Sequence, residues 1–339
     1  MNWLRQILLF MRREKLHRLA VYIILIITAS TLILPLFESD VSLTNALWWS
    51  IVTLTTVGYG DIAPATLGGR IIGIFIMFFG IGILGMFTAT VASIFIERKQ
   101  KEERGMNSYK FENHIIICEW NHRASDILLE LRKAYRIGNA PIVLIDDIQM
   151  KPVDDENLFF IQGDVSDNNL RRANLEKAST VIILGDDKLD ASARDARVVL
   201  TTLTVESINP NAYTIVELVD IINVPHCERA NANEIIVGSD FSSKLISRAA
   251  VDHGISKVLS ELLTSRMGND LFKIPVPKSL EGLTFIDVFT EMKRVNNSIV
   301  LGIQKGSDGI VKSNPPVDFL VESGDSLILI KEGKPSSQL

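Results

Sequence analysis

Cysteine is scarce, with Cys118 and Cys227 the only two in 339 residues. Two thiols cannot build a disulfide framework, so the chain reads as one that works in a reducing compartment. An excess of positive charge is also missing, and a net charge of −5 argues against nucleic acid as a partner. Charge of either sign is absent from Leu19 to Phe37 and again from Ile71 to Ile96. No A-x-A-like cleavage site follows the first run, which counts against a signal peptide. Neither run carries a repeated Arg ladder, so a voltage sensor of the usual kind is excluded.

What is present is unevenly spread. The residues are 47% hydrophobic, with the apolar excess before residue 97 and the charges mostly after it. This predicts a short membrane module followed by a large soluble part, in keeping with two or three domains of roughly 150 residues or less. Residues 1–18 mix Arg5, Arg12, Arg13, Lys15 and Arg18 with Trp3, Leu4, Ile7, Leu8 and Phe10, the pattern of an amphipathic helix on lipid. Residues 19–97 form the membrane module. Its first run is long enough for one crossing at ~1.5 Å per residue. Leu43 to Thr55 is apolar but too short to span and is read as re-entrant. Lys and Arg cluster before residue 18 and again at Arg98, Lys99, Lys101 and Arg104, with only Arg70 between the spans. The positive-inside rule then predicts a multi-pass protein of the cell (inner) membrane with both termini cytoplasmic.

The re-entrant segment leads into Thr55-Thr56-Val57-Gly58-Tyr59-Gly60-Asp61. Glycine accepts positive φ without steric cost, so Gly-x-Gly spacing lets successive carbonyls point to one side. A column of such carbonyls, repeated around an axis, can replace the hydration shell of a potassium ion. The stretch T-V-G-Y-G and the order helix, pore helix, filter, helix resemble the two-transmembrane potassium channel family throughout residues 19–97. The resemblance implies that carbonyls of Thr56, Val57, Gly58 and Tyr59, with the Thr56 hydroxyl, line the ion sites before Gly60. It places Asp61 at the outer mouth and packs Trp48 and Trp49 around the filter. One filter strand per chain implies a homotetramer. Some relatives carry a Glu behind the filter, bonded to the Asp; here that position is Val52. The second apolar run holds Gly80, Gly82 and Gly85. Close helix packing would explain them, but Gly80 matches the hinge position of the family, and a gating hinge is the preferred reading.

Residues 98–113 read as a charged linker, within which Met106 is a candidate internal start. Short apolar strands then alternate with helices: His114–Cys118, Ile142–Ile145, Leu158–Gln162, Thr180–Leu184, Tyr213–Val216 and Glu234–Val237. The intervening helices are expected at Arg123–Tyr135, Ser166–Asn174, Asp190–Asn209 and Pro225–Ala232. That alternation predicts a doubly wound parallel sheet with a ligand crevice at the carboxyl ends of its strands. The glycines of a dinucleotide fingerprint are missing from the first turn, which reads Glu119-Trp120-Asn121-His122-Arg123-Ala124. A helix N-terminus with His122 and Arg123 can still attract an anion. Asp146 stands where an acidic residue normally meets a ribose, and Gly163-Asp164 follows the third strand.

The runs H-I-I-I-C, V-L-I-D, Q-G-D-V-S-D and A-N-L-E-K-A-S-T-V-I-I-L resemble the RCK (KTN, Trk-type) regulatory domain. The resemblance implies a Rossmann-like lobe over 114–240, a helical crossover over 241–270 and a small α+β lobe over 271–339. It further implies an octameric ring of RCK domains, half of them separate soluble copies; these would begin at Met106 if it served as an internal start, against the plainer reading of an ordinary linker methionine. Calcium, an adenine nucleotide and NAD are the candidate intracellular ligands, against the alternative that a sheet without the fingerprint glycines has lost its nucleotide and is purely structural. Calcium-binding relatives use an Asp and two Glu, at positions occupied here by Leu184, Glu217 and Val219. The oxygen donors left for such an ion are Glu119, Glu217, Asp186, Asp187 and Asp220, against the plainer reading of a solvated acidic loop. The whole is expected to be a ligand-gated potassium channel and not an enzyme. The runner-up is a membrane-anchored RCK-type subunit that regulates a separate transporter, but an anchor has no use for Gly58 and Gly60.

Overall fold

The computed structural model describes residues 16–134, 137–264, 269–306 and 309–332. Of the interfacial helix expected at 1–18, residues 1–15 lie outside them, and 16–18 belong instead to the first long helix. The chain divides into two compact units that meet between Glu103 and Arg104 in sequence. In the first unit, α1 (Leu16–Phe37) and α3 (Leu67–Glu103) are long and apolar enough to cross a membrane. Between them lies the short α2 (Leu43–Leu54), whose first turn is capped by the Ser42 hydroxyl accepting from Asn45 N–H. Leu34, Ala46, Trp49, Leu54 and Ile76 form the buried contact among the three helices. Ser30 and Ser50 share a buried hydrogen bond of 2.8 Å between α1 and α2, a polar fastening of the kind favoured in lipid.

The expected linker starts later than the charge run suggests. α3 continues to Glu103, through residues read as the start of a charged linker. Lys101 pairs with Glu97 at 2.6 Å and Lys99 with Glu103 at 3.8 Å, and such i,i+4 pairs support an exposed helix.

In the second unit, six parallel strands run in the order β3-β2-β1-β4-β5-β6. They are β1 (Ile115–Cys118), β2 (Ile142–Asp146), β3 (Leu158–Gln162), β4 (Thr180–Ile183), β5 (Tyr213–Leu218) and β6 (Glu234–Val237). Every residue of β1 and β2 is buried, which is why these strands read as unbroken apolar runs. The helices between them are α4 (His122–Lys133), α5 (Asp167–Arg172), α6 (Ala191–Ile208) and α7 (Val224–Arg229). Ser166–Asn174 is thus a shorter helix than expected, followed by a 3-10 turn at Leu175–Lys177. Two apolar layers cover the faces of the sheet, one around Ile116, Val143 and Val198 and the other around Ile117, Leu144 and Leu128.

The crossover segment forms α8 (Gly238–Val251) and α9 (Ile255–Leu262). Beyond it, β7 (Asn269–Pro275), β8 (Ile299–Gln304), β9 (Val311–Ser313) and β10 (Ser326–Glu332) make an antiparallel sheet in the order β7-β10-β8-β9. α10 (Phe285–Asn296) packs Phe285, Val288 and Met292 against it. A membrane helical module, a Rossmann-like lobe and a small α+β lobe are therefore all present.

Candidate functional site

The first site begins where α2 ends. Thr55 closes the helix, and the Val52 carbonyl then receives both Val57 N–H, at 3.0 Å, and Gly58 N–H, at 3.3 Å. From there φ is positive at alternate residues: 62° at Thr56, 58° at Gly58 and 75° at Gly60. Alternating handedness turns each peptide plane back on the one before it, so successive carbonyls can share one face. Gly58 and Gly60 adopt this freely. Thr56 is β-branched, for which positive φ is a strained state that persists only where the surroundings enforce it.

The indole of Trp48 fastens the outer end. Its Nε1–H donates to Asp61 Oδ2 at 2.8 Å, and its ring stacks on Tyr59 with centroids 5.9 Å apart. Trp48 therefore does what the sequence assigned to it and also supplies the Asp61 partner that Val52 cannot. Trp49 turns the other way, into the buried contact among the helices. Gly80 lies against α2: a Cβ there would stand 3.2 Å from Leu54 Cγ. A Cβ at Gly82 or Gly85 would meet nothing within 4 Å, and α3 runs unbroken through all three.

The second site is the crevice at the carboxyl ends of β1, β4 and β5. Glu119 takes φ 72°, the left-handed conformation that a glycine would hold in a dinucleotide loop. Its carboxyl group is buried, in contact with Arg197 at 3.0 Å and close to Asp146 and Asp186. Burial, offset in part by Arg197 and reinforced by the two acids, pushes Glu119 up to about 7. Asp146 is also buried and accepts from the Trp120 backbone N–H; burial raises it as well. Asp164 bonds Arg197 at 2.9 Å, and Asp186 lies 3.5 Å from the same guanidinium.

A second knot lies alongside. Arg123 reaches Glu217 at 2.8 Å and Asp187 at 2.8 Å. Asp187 also meets Arg194 at 3.0 Å, with His122 3.6 Å away. Asp220 sits apart, its Oδ1 accepting from Ile222 N–H and its own N–H donating to buried Asp195.

The predicted residues thus come together, but mostly on each other. Glu119 stands where the first glycine of a dinucleotide loop would be and contacts Arg197, and Asp146 accepts from Trp120 N–H, so an anion entering here must displace these contacts. For calcium, among the described residues no group of three or more His, Cys, Asp or Glu is placed to hold a metal ion. The arginines that neutralise the acids, Arg194 and Arg197, were missed by sequence reasoning. The available signal was their i,i+3 spacing on the first turns of α6, directly after the acidic Gly185–Asp190 loop.

Comparison with known proteins adds three matched segments. Residues 21–97 match the ion channel family. Residues 110–216 match the calcium-activated potassium channel slowpoke-like RCK domain. Residues 239–339 match the Castor and Pollux family, part of voltage-gated ion channel. The calcium-gated potassium channel TvoK of Thermoplasma volcanium is 30% identical, covering 86% of this chain and 82% of that protein. The Bacillus subtilis protein YugO is 32% identical across 85% of this chain and 87% of its own. Among solved structures, the GsuK channel superposes with a TM-score of 0.50 at 15% identity, a likeness of fold over 94% of this chain and 57% of that one.

Proposed function

The chain belongs to the potassium channels that carry an RCK domain, and from that premise we propose that four copies surround one potassium-selective pore gated by an intracellular ligand. The observation that carries selectivity is the alternation of φ at Thr56, Gly58 and Gly60. It orients the carbonyls of Thr56, Val57, Gly58 and Tyr59 as a surrogate hydration shell once four strands face an axis. Within one chain Val57 is 53% and Tyr59 68% exposed, which supports their cover coming from neighbouring copies. Asp61, held by Trp48, concentrates cations at the outer mouth. Gly80, Gly82 and Gly85 supply the flexible stretch of the inner helix. Both termini are cytoplasmic in this reading, and no catalytic step is assigned to the chain.

The RCK lobes form the gating ring, with α8 and α9 as the crossover between copies. Phe241 and Ile246 on α8 and Val258 on α9 are apolar and exposed within one chain, which supports that role. A ligand opens the pore only by binding the open arrangement more tightly than the closed one. The crevice around Glu119 is the place for it, and entry there requires Arg197 or Arg123 to release a carboxylate.

Reconstituted in vesicles, the protein should pass potassium and exclude sodium, and equal permeability would end the selectivity reading. Flux measured against calcium, magnesium, adenine nucleotides and NAD in turn identifies the ligand class. A flux indifferent to all of them would remove ligand gating and leave selectivity standing.

A further inference from the structure

The half of the crevice beside β5 carries a cation of its own. Arg123 stands in the first turn of α4, where the aligned peptide dipoles disfavour positive charge, and no acidic residue of that turn compensates it. What holds the side chain there comes from two other elements. Its Nε meets both carboxylate oxygens of Glu217 on β5, at 2.8 and 2.9 Å. Its Nη2 reaches Asp187 Oδ1 at 2.8 Å, in the loop between β4 and α6. Arg194 Nη1 lies 3.0 Å from the same Asp187 oxygen, and His122 Nδ1 faces Oδ2 at 3.6 Å. All four oxygens of the two acids thus face the nitrogen of a basic side chain. The loop itself is fixed from both sides: Asn121 Nδ2 donates to Gly185 O at 3.0 Å, and Arg194 Nε donates to Asp186 O at 3.1 Å. The neighbouring acids are engaged as well. Asp186 Oδ1 accepts from Lys188 N–H at 2.9 Å, and Asp220 Oδ1 accepts from Ile222 N–H at 3.0 Å.

We propose that Arg123 is the resident cation of this half of the crevice: its guanidinium cross-links Asp187 and Glu217 as a divalent ion would, and keeps calcium and magnesium out. This rests on the reading of the crevice as the ligand site and narrows it, since a ligand acting there is then not a divalent cation. Calcium gathers about six to eight oxygens and commonly takes a carboxylate by both of its own. Glu217 is already gripped by both oxygens, and the partner is nitrogen. A free ion would have to evict a cation carried on the same chain, whose effective concentration is of the order of mM or more. The flat fork of the guanidinium bridges two carboxylates at fixed angles, whereas an ammonium is a point charge on a flexible stem. Arginine also stays protonated, so the link between the β4 loop and β5 is lost neither to a chelator nor to dilution.

The test uses the full-length channel in detergent with potassium fixed, following amide exchange of residues 185–190 and 217–220 by mass spectrometry. In the wild type that exchange should be slow and unchanged by millimolar calcium or magnesium. Arg123→Ala should exchange roughly tenfold faster there. Millimolar guanidinium ion should slow it again, with sodium chloride of equal ionic strength as the reference. Calcium or magnesium should also slow it in that variant, by filling the vacated place, and should fail to do so once Glu217→Gln is added. Arg123→Lys should fall between Arg123→Ala and the wild type. If Arg123→Ala unfolds the lobe, seen as fast exchange across β1 and β2, Arg123→Gln keeps the stem of the side chain and carries the same comparisons. Wild-type exchange that slows further with calcium overturns the exclusion. Exchange in the variant equal to that of the wild type overturns the cross-link, and rescue by guanidinium but by neither metal overturns the equivalence with a divalent ion. Potassium flux in vesicles keeps the gating reading separate: a flux that answers none of calcium, magnesium, ADP and NAD overturns ligand gating, while exchange still decides the role of Arg123.

Discussion

At the scale of single residues, two side chains stand where their surroundings dictate an unusual state. Glu119 holds its proton up to about 7 because its carboxyl is buried beside Asp146 and Asp186. Its native pKa lies above the ordinary value of 4.5, so the associated stability is present below that value and is lost as pH rises through 7. The shift is worth on the order of 3 kcal/mol. Glu119→Gln should therefore melt close to the wild type at pH 5 and above it at pH 8; a wild type equally stable at both would refute the assignment. Trp48 supplies Asp61 with a charge-assisted hydrogen bond, and such bonds contribute roughly 1.5–3 kcal/mol. Trp48→Phe should lower the thermal dissociation temperature of the assembled pore in fixed potassium, with potassium over sodium preference retained. Neither state was legible in the sequence. A non-glycine residue at positive φ carries no signature, and the arginine that meets Glu119 lies far along the chain.

At the scale of elements, the sequence was most informative where burial is continuous. β1 and β2 are covered on both faces, so they appear as unbroken apolar runs, and β3 and β6 have the bounds that their residues predict. It was least informative where charge dominates. E-R-K-Q-K-E-E reads as part of a charged linker, yet its acids and bases fall four apart and extend α3 to Glu103. The contact between α2 and α3 at Leu54 and Gly80 was equally hidden, because it joins two apolar surfaces with no polar marker. Gly80→Ala adds a methyl 3.2 Å from Leu54 Cγ and should displace the base of α2, lowering unitary conductance. Leu54→Ala in the same chain should restore it, and a double-mutant cycle with no coupling would show that the two do not press on one another.

At the scale of the whole molecule, the order of modules was legible, because a change from apolar to charged composition marks the boundary near residue 97. How the crevice neutralises itself was not, since each of its ion pairs joins residues from separate elements. The second unit has apolar cores of its own in both lobes, so residues 104–339 should fold without the membrane helices. Circular dichroism of that fragment should show mixed α/β content and one cooperative transition per lobe or fewer; a disordered spectrum would contradict it.

Gly105 gives this last point a further edge. A Cβ at that position would collide with the Gln162 backbone nitrogen, so the chain meets the edge of the sheet through a residue that nothing larger can replace without a shift. A copy whose synthesis began at Met106 would have no Gly105. Its Gln162 N–H would lose the Gly105 carbonyl as acceptor, and Arg172 would keep only the Asn107 carbonyl of the two it holds. A ring assembled from both kinds of copy would then carry two populations of the same amide, one protected and one open. Their ratio would count the pore-linked subunits against the free ones without labelling either.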